Sequence, residues 1–111
     1  TISLWEVWDW FADVGAALRS FDRKVTRLAA RTGMGSAPAS CWVIRATRHN
    51  RRLVAQHAAL FASRFPGSGI AWLKALVSAD HEPPAEPALL WVTVRGDRLF
   101  AARLRTPRPS P

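Results

Sequence analysis

The stretch that decides the fold spans residues 4–28 and reads LWEVWDWFADVGAALRSFDRKVTRL. Its apolar side chains recur at alternating steps of three and four residues: Leu4, Val7, Phe11, Val14, Leu18, Phe21, Val25 and Leu28. This spacing is typical of an α-helix with one continuous apolar seam. Ser3 and Glu6 have the spacing of a capping box and Gly33 suits a helix end, so we expect one helix over residues 4–31.

The predicted helix is too long for the rest of the chain to cover. About 28 residues at about 1.5 Å each give roughly 42 Å, whereas a compact domain of this size measures about 35 Å across. We therefore expect the seam residues to form an interface, either in a homodimer or with another subunit of a larger complex. Trp5, Trp8 and Trp10 widen the apolar surface, so we expect this end to lie deepest in a core or interface.

The charge of the chain is strongly positive and unevenly distributed. Sixteen lysines and arginines against eight acidic residues give a formal net charge of +8 over 111 residues. No acidic residue lies between Asp22 and Asp80, an interval that contains ten basic residues. Nucleic acid is therefore the first partner to consider, followed by an acidic protein or an anionic membrane surface. An arginine-rich composition that reflects a GC-rich genome is the alternative explanation.

The remaining composition bounds the class of protein. Cys41 is the only cysteine, which excludes an intrachain disulfide and a cysteine metal cluster and favours a cytoplasmic location. Glu6, Asp9 and Asp13 occupy the segment where a signal peptide requires a basic and then an apolar region. No charge-free apolar stretch is long enough for a membrane span. We expect a single domain over residues 1–105.

After the first helix, the pattern predicts a strand and two further helices. The glycine- and proline-containing loop 33–40 leads into the apolar run 41–44, which we interpret as a short strand. Helical spacing of apolar residues follows over 48–65, and again over 70–79 after a Pro-Gly stop. His57 falls on the apolar side of the first of these helices, where we expect a hydrogen-bonded core histidine.

Each of these two helices has a residue that suits its start. Thr47 precedes the first and Ser68 precedes the second. Both are residue types whose side-chain oxygen accepts a hydrogen bond from a free backbone N–H of the first helical turn. We expect both to act as N-caps.

The C-terminal third is predicted to form a β-hairpin. Segments 88–95 and 98–105 are separated by Gly96 and Asp97, the residue order that a two-residue type II′ turn favours. The closing residues 106–111 alternate proline with polar residues, so we expect a disordered tail.

Together these elements predict an α+β domain with the order α-β-α-α-β-β. This order is similar to that of winged-helix domains, as a topological analogy. In that arrangement the third helix lies along a nucleic-acid groove and the hairpin contacts the backbone. Helix 70–79 offers Lys74 but lacks the Arg, Asn or Gln residues that usually read base edges. We therefore expect weak sequence preference.

Six basic residues are the candidates for nucleic-acid binding: Arg48, Arg51, Arg52, Lys74, Arg95 and Arg98. A two-residue turn would set Arg95 directly opposite Arg98, and facing like charges destabilise a hairpin by up to about 1 kcal/mol. A bound phosphate would relieve that repulsion. Contacts of this kind orient a protein on nucleic acid without selecting a sequence. A solvated basic face is the alternative interpretation.

Catalytic and cofactor patterns are weak throughout the sequence. His49, His57 and His81 lack the four-residue helical spacing to a second ligand that is common in metal sites. The sequence also contains neither a nucleotide-phosphate loop nor a complete nucleophile elbow. We therefore predict no catalytic residue, no metal and no cofactor, and expect that the chain is not an enzyme.

Two functional hypotheses follow from these patterns. The first is a basic module that binds nucleic acid, most simply double-stranded DNA, mainly through phosphates, and that assembles through its N-terminal helix. The alternative is a protein-interaction subunit that docks onto a partner through the tryptophan-rich seam. A membrane-surface helix is a third and weaker interpretation, because acidic residues lie beside the tryptophans.

Overall fold

Four strands form one sheet and lie side by side in the order in which they occur along the chain. The computed structural model describes residues 3–33, 38–78 and 80–104. The strands are β1 (Ser3–Trp8), β2 (Ala39–Arg45), β3 (Ala88–Val92) and β4 (Leu99–Ala101). The first three are mutually parallel, and β4 pairs antiparallel with β3. Parallel neighbours require crossover connections, which the helices supply.

Four helices occupy the connections between the parallel strands. Helix α1 (Val14–Thr32) joins β1 to β2, whereas α2 (Arg48–Gln56), α3 (Ala58–Arg64) and α4 (Gly69–Val77) lie between β2 and β3. Helices α1, α2 and α3 pack on one face of the sheet, and α4 packs on the other. The chain is therefore a mixed α and β protein with helices on both faces of a largely parallel sheet.

The larger core lies beneath α1, α2 and α3 and is centred on Trp42 of β2. This side chain is fully buried, and five aromatic rings lie with their centroids 5.5 to 6.0 Å from it: Trp8, Phe11, Phe21, Phe61 and Phe65. Aromatic pairs at such distances add to the stabilisation from burial alone. Trp42 thereby joins the sheet to α1 and α3.

The smaller core lies beneath α4 and is centred on Trp72. Its ring meets Trp5 of β1 edge-on at 5.1 Å, and its Nε1–H donates a hydrogen bond to the Glu86 carbonyl at 3.0 Å. A Cβ at Gly69 would lie 2.7 Å from the Ala101 side chain, so only glycine allows α4 to approach β4 this closely. The rest of this face is thinly covered, since Ile70, Leu76 and Val77 remain exposed.

The predicted helix over residues 4–31 is wrong in its first third. Residues 3–8 form β1, and α1 begins only at Val14, after Asp13 accepts a hydrogen bond from the Ala16 N–H at 2.9 Å. Six of the eight residues from 4 to 11 are apolar, so the three-and-four spacing fits a strand with apolar side chains on both faces as well as a helix. Trp5 and Trp8 accordingly contact opposite cores.

The eight predicted interface residues do not form one seam. Four of them are buried within the chain's own core: Phe11, Val14, Leu18 and Phe21. Val25 packs partly against the same core, Leu4 and Leu28 border a shallow surface groove, and Val7 is 68% exposed. The extended, uncovered helix behind the predicted interface is therefore not present, because the sheet covers most of the apolar face of α1. An interface through the remaining residues stays a prediction.

Glu6 also differs from its predicted role in a capping box. Its carboxylate pairs with Lys24 of α1 and accepts a hydrogen bond from the Trp8 indole at 2.6 Å. Gly33 does end α1 in the left-handed conformation, with φ of 66°, as the sequence predicts.

The middle of the chain follows the sequence prediction more closely. Thr47 and Ser68 cap α2 and α4 as predicted, accepting from the Asn50 and Ala71 N–H groups. The predicted helix over 48–65 is interrupted at His57, whose backbone leaves helical geometry between α2 and α3. His57 is exposed there, so its predicted place in the core is wrong.

The C-terminal hairpin exists but is shorter than predicted, with Val92 paired to Leu99. The observed element order is β-α-β-α-α-α-β-β, so the α-β-α-α-β-β order behind the winged-helix analogy is not present. The predicted tail over 106–111 and residues 34–37 of the predicted loop lie outside the described residues. None of the helices in the described ranges combines the length and apolar content that a membrane crossing requires.

Candidate nucleic-acid interface

The carboxyl ends of the three parallel strands meet at one edge of the sheet, here called the carboxyl edge. It is formed by residues 9–13 after β1, 45–50 at the end of β2 and the start of α2, and 93–98 between β3 and β4. In open α/β sheets, ligands bind preferentially at this edge because the connecting loops and helix N-termini gather there. Five of the six predicted nucleic-acid-binding residues lie on segments that start at this edge.

Asn50 holds the carboxyl edge together from the first turn of α2. Its side chain is fully buried, and Nδ2 donates to the carbonyl oxygens of Asp9 at 2.8 Å and Arg45 at 3.0 Å. One amide thus joins the ends of β1 and β2. Its Oδ1 has no hydrogen-bond partner among the described residues. This role of Asn50 was not predicted, because a lone asparagine in a helix carries no spacing signal.

Arg45, the last residue of β2, connects the same edge to the loop before β4. Its Nε donates to Asp9 Oδ1 at 2.7 Å, and its guanidinium also donates to the Val94 carbonyl. The Ala46 N–H donates to the Val92 carbonyl at 2.8 Å, so the end of β2 and the 93–98 loop are in direct contact. Arg45 was not among the six candidates, although it lies in the same basic run of sequence.

Three of the candidates, Arg48, Arg51 and Arg52, lie in the first half of α2, and all are exposed. Arg48 is the first residue of the helix and Arg52 follows one turn later, so their guanidinium groups extend from neighbouring positions on its surface. Within the described ranges, no ion pair engages any of the three. The N-terminus of α2 adds a partial positive charge at the same place.

Arg95 and Arg98 lie in the loop between β3 and β4, but they do not face each other. The predicted two-residue turn is wrong: the Thr93 N–H bonds the Arg98 carbonyl at 2.9 Å, and the Thr93 carbonyl accepts from the Gly96 N–H at 2.8 Å. The Thr93 hydroxyl adds bonds to the Asp97 carboxylate and to two backbone N–H groups. These bonds select a longer loop with Arg95 near its tip.

Lys74, the sixth candidate, is not brought together with the arginines. It is exposed on α4, which packs through Trp72 on the opposite face of the sheet from α2. The analogy that assigned Lys74 to a groove-contacting helix depended on the element order that the structure corrects.

The carboxylates at the carboxyl edge are already engaged by protein groups. Asp9 pairs with Arg45, Asp13 caps α1, and Asp97 bonds the Thr93 hydroxyl. Asp13 and Asp97 keep their negative charge, but the five arginines Arg48, Arg51, Arg52, Arg95 and Arg98 outnumber these two carboxylates in the described part of the edge. The result is a concentration of uncompensated positive charge.

Trp10 and His49 form an aromatic stack at this edge that the sequence analysis did not predict. Their ring centroids lie 4.8 Å apart with the planes only 11° from parallel. His49 Nε2–H donates to the Phe11 carbonyl at 2.7 Å, which fixes the imidazole. Trp10, expected deep in a core or interface, is instead 60% exposed. An exposed tryptophan between two elements gives no periodic signal in the sequence.

Chemistry other than anion binding has little support in the described residues. Among them, no group of three or more His, Cys, Asp or Glu side chains could hold a metal ion. Burial raises the pKa of the Cys41 thiol to about 12, so the thiol is protonated at neutral pH and is a poor nucleophile.

Comparisons with known proteins return no similar protein: neither a protein-family model, nor a curated protein, nor a solved structure matches the chain.

Proposed function

We propose that this chain binds nucleic acid through its phosphate backbone, at the carboxyl edge of the sheet. The observation that carries the proposal is a set of five exposed arginines, on two segments in contact, to which the described part of the chain offers no ion pair. Guanidinium groups suit this task because they stay charged and donate paired hydrogen bonds to phosphate oxygens.

The two segments contribute differently to such binding. Arg48, Arg51 and Arg52 extend from a helix whose N-cap and buried Asn50 fix its position, so their backbone is ordered before binding. Arg95 and Arg98 lie on a loop braced by Thr93 and by the bond from Arg45 to Val94. Pre-ordered donors lose less conformational entropy when they bind a phosphate.

Weak sequence preference follows from the same arrangement. The arginines extend from the start of one helix and from a loop, and no described element presents a row of Asn, Gln and Arg side chains suited to the major groove. Phosphate contacts supply affinity that is independent of sequence and depends strongly on salt.

The experiment measures the affinity of the chain for a short labelled DNA duplex over a range of salt concentrations. Each neutralised phosphate contributes about 0.9 to the slope of log affinity against log salt, so Arg48→Gln with Arg52→Gln should reduce that slope by about 1.8. Absence of binding at low salt to the duplex and to a single-stranded oligomer alike would eliminate the proposal.

A matched control removes the same charge elsewhere. Lys74 and Arg103 are exposed and lie outside the carboxyl edge, so changing both to Gln lowers the net charge equally. We expect this control to leave most of the slope intact. An equal loss in the two variants would show attraction by net charge alone, and equally tight binding to polyglutamate would favour an acidic protein as the partner.

A further inference from the structure

We propose that the Trp10–His49 stack is a platform for one unpaired nucleobase, so that the carboxyl edge prefers single-stranded nucleic acid over a duplex. This inference rests on the proposed function, because the arginines around the stack must hold the strand. It adds a base contact to an interface otherwise described by phosphate contacts.

The geometry of the stack leaves one ring face free. His49 covers one side of the indole at 4.8 Å, with the two rings nearly parallel. Since Trp10 is nevertheless 60% exposed, its other side is open to solvent. An open indole face is the surface on which bases stack in proteins that bind single strands.

The platform is held rigid before any ligand arrives. His49 is the second residue of α2, and its Nε2–H bonds the Phe11 carbonyl at 2.7 Å. Phe11 is itself buried in the main core, and the adjacent Asp9 carbonyl is bonded by Asn50. The His49 ring is thus anchored by the backbone next to Trp10, and Trp10 stacks on that fixed ring, which lowers the entropy lost when a base stacks on the indole.

The basic residues around the platform are placed to contact the phosphates of a nucleic-acid strand that extends beyond the stacked base. Arg48 precedes His49 in α2, and Arg52 lies three residues beyond it on the adjoining helix surface. A base on the free face of Trp10 would have its neighbouring phosphates near these guanidinium groups. A duplex hides its base faces in the stack, so only an unpaired or end base can use the platform.

The test measures binding of the full chain to two single-stranded probes with the same number of phosphates: labelled oligothymidylate and an abasic oligomer. We expect the wild type to bind the thymidylate about tenfold more tightly than the abasic probe. Trp10→Ala should remove that difference and leave abasic binding unchanged, whereas Trp10→Phe should keep part of it.

The controls separate the failure of this inference from failure of the proposed function. Ile70 is 62% exposed on the other face, so Ile70→Ala should change neither affinity. Equal wild-type binding to both probes, or equal weakening of both by Trp10→Ala, would overturn the platform and leave the phosphate interface standing. No wild-type binding to either probe at low salt would overturn both. A thermal melt confirms that each variant is folded.

Discussion

At the scale of single residues, Asn50 contributes most to the structure of the carboxyl edge, where nucleic-acid binding is proposed. Its amide supplies two donors to backbone carbonyls that would otherwise end two parallel strands without partners. A buried acceptor that loses its donor costs about 1 to 3 kcal/mol. Together with the Thr47 cap and the buried Val54, this side chain fixes the position of α2 and of its three arginines.

We predict that Asn50→Ala lowers the free energy of unfolding by about 2 to 3 kcal/mol, because both carbonyls lose their donor. Asn50→Asp should cost more at neutral pH, since a carboxylate can only accept and is buried beside two other acceptors. Urea unfolding followed by circular dichroism measures both. Gln56, an exposed amide at the end of the same helix, is the control. Similar losses for Gln56→Ala and Asn50→Ala would contradict this role.

At the scale of elements, the boundary between β1 and α1 decides how the N-terminal third folds. The strand places Trp5 and Trp8 on opposite faces, and Asp13 then starts the helix with a bond to the Ala16 N–H. Without that cap, the first helical turn would have another unpaired donor. The Asp13 cap therefore marks the start of the 19-residue helix α1 after the six-residue strand β1.

For this boundary, we expect Asp13→Ala to destabilise the chain by about 1 kcal/mol, whereas Asp13→Asn should have a much smaller effect because asparagine also caps well. Midpoints of thermal unfolding for the two variants give the comparison. If the long helix over residues 4–31 were correct, Asp13 would lie in its interior and alanine would stabilise it. A higher midpoint for Asp13→Ala would therefore refute the observed boundary.

Local signals predicted several elements well and failed where apolar residues crowd together. The caps Thr47 and Ser68, the end of α1 at Gly33 and the strand around Trp42 were recognisable because each has a distinct local chemistry. Residues 4–11 carry apolar side chains at almost every position, so helix and strand periods fit equally well. The loop between β3 and β4 is shaped by hydrogen bonds of the Thr93 hydroxyl, and these bonds cannot be predicted from the dipeptide Gly96-Asp97.

At the scale of the whole molecule, the parallel sheet explains why the apolar seam does not need a second chain. One core lies between the sheet and the three helices that pack on this face. It contains four seam residues that face β2 and β3: Phe11, Val14, Leu18 and Phe21. Parallel pairing joins β1 to β2 and β2 to β3 over long sequence separations, which no local pattern specifies. For the same reason, the sequence predicted the arginines of the candidate site but not Trp10, Arg45 or Asn50.

Two positions of the seam distinguish the sheet from the predicted coiled helix. Leu18 is buried in the core whereas Val7 is 68% exposed, although both belong to the predicted apolar seam. We expect Leu18→Asp to cost more than about 4 kcal/mol, since it buries an unpaired charge, and Val7→Asp to cost about 1 kcal/mol or less. Chemical unfolding and size-exclusion chromatography together test this. Equal damage to assembly by both changes would restore the coiled-helix interpretation.

The contrast between Trp42 and Trp10 has an optical consequence. The chain has six tryptophans and no tyrosine, so its ultraviolet emission comes almost entirely from indole. Trp42 and Trp72 are sealed from water and emit towards the blue, whereas Trp10 is open to water and to soluble quenchers such as iodide. Tryptophan fluorescence therefore reports on two regions without any attached dye. The emission of the buried tryptophans follows unfolding of the interior, and iodide quenching of Trp10 follows changes at the rim of the sheet.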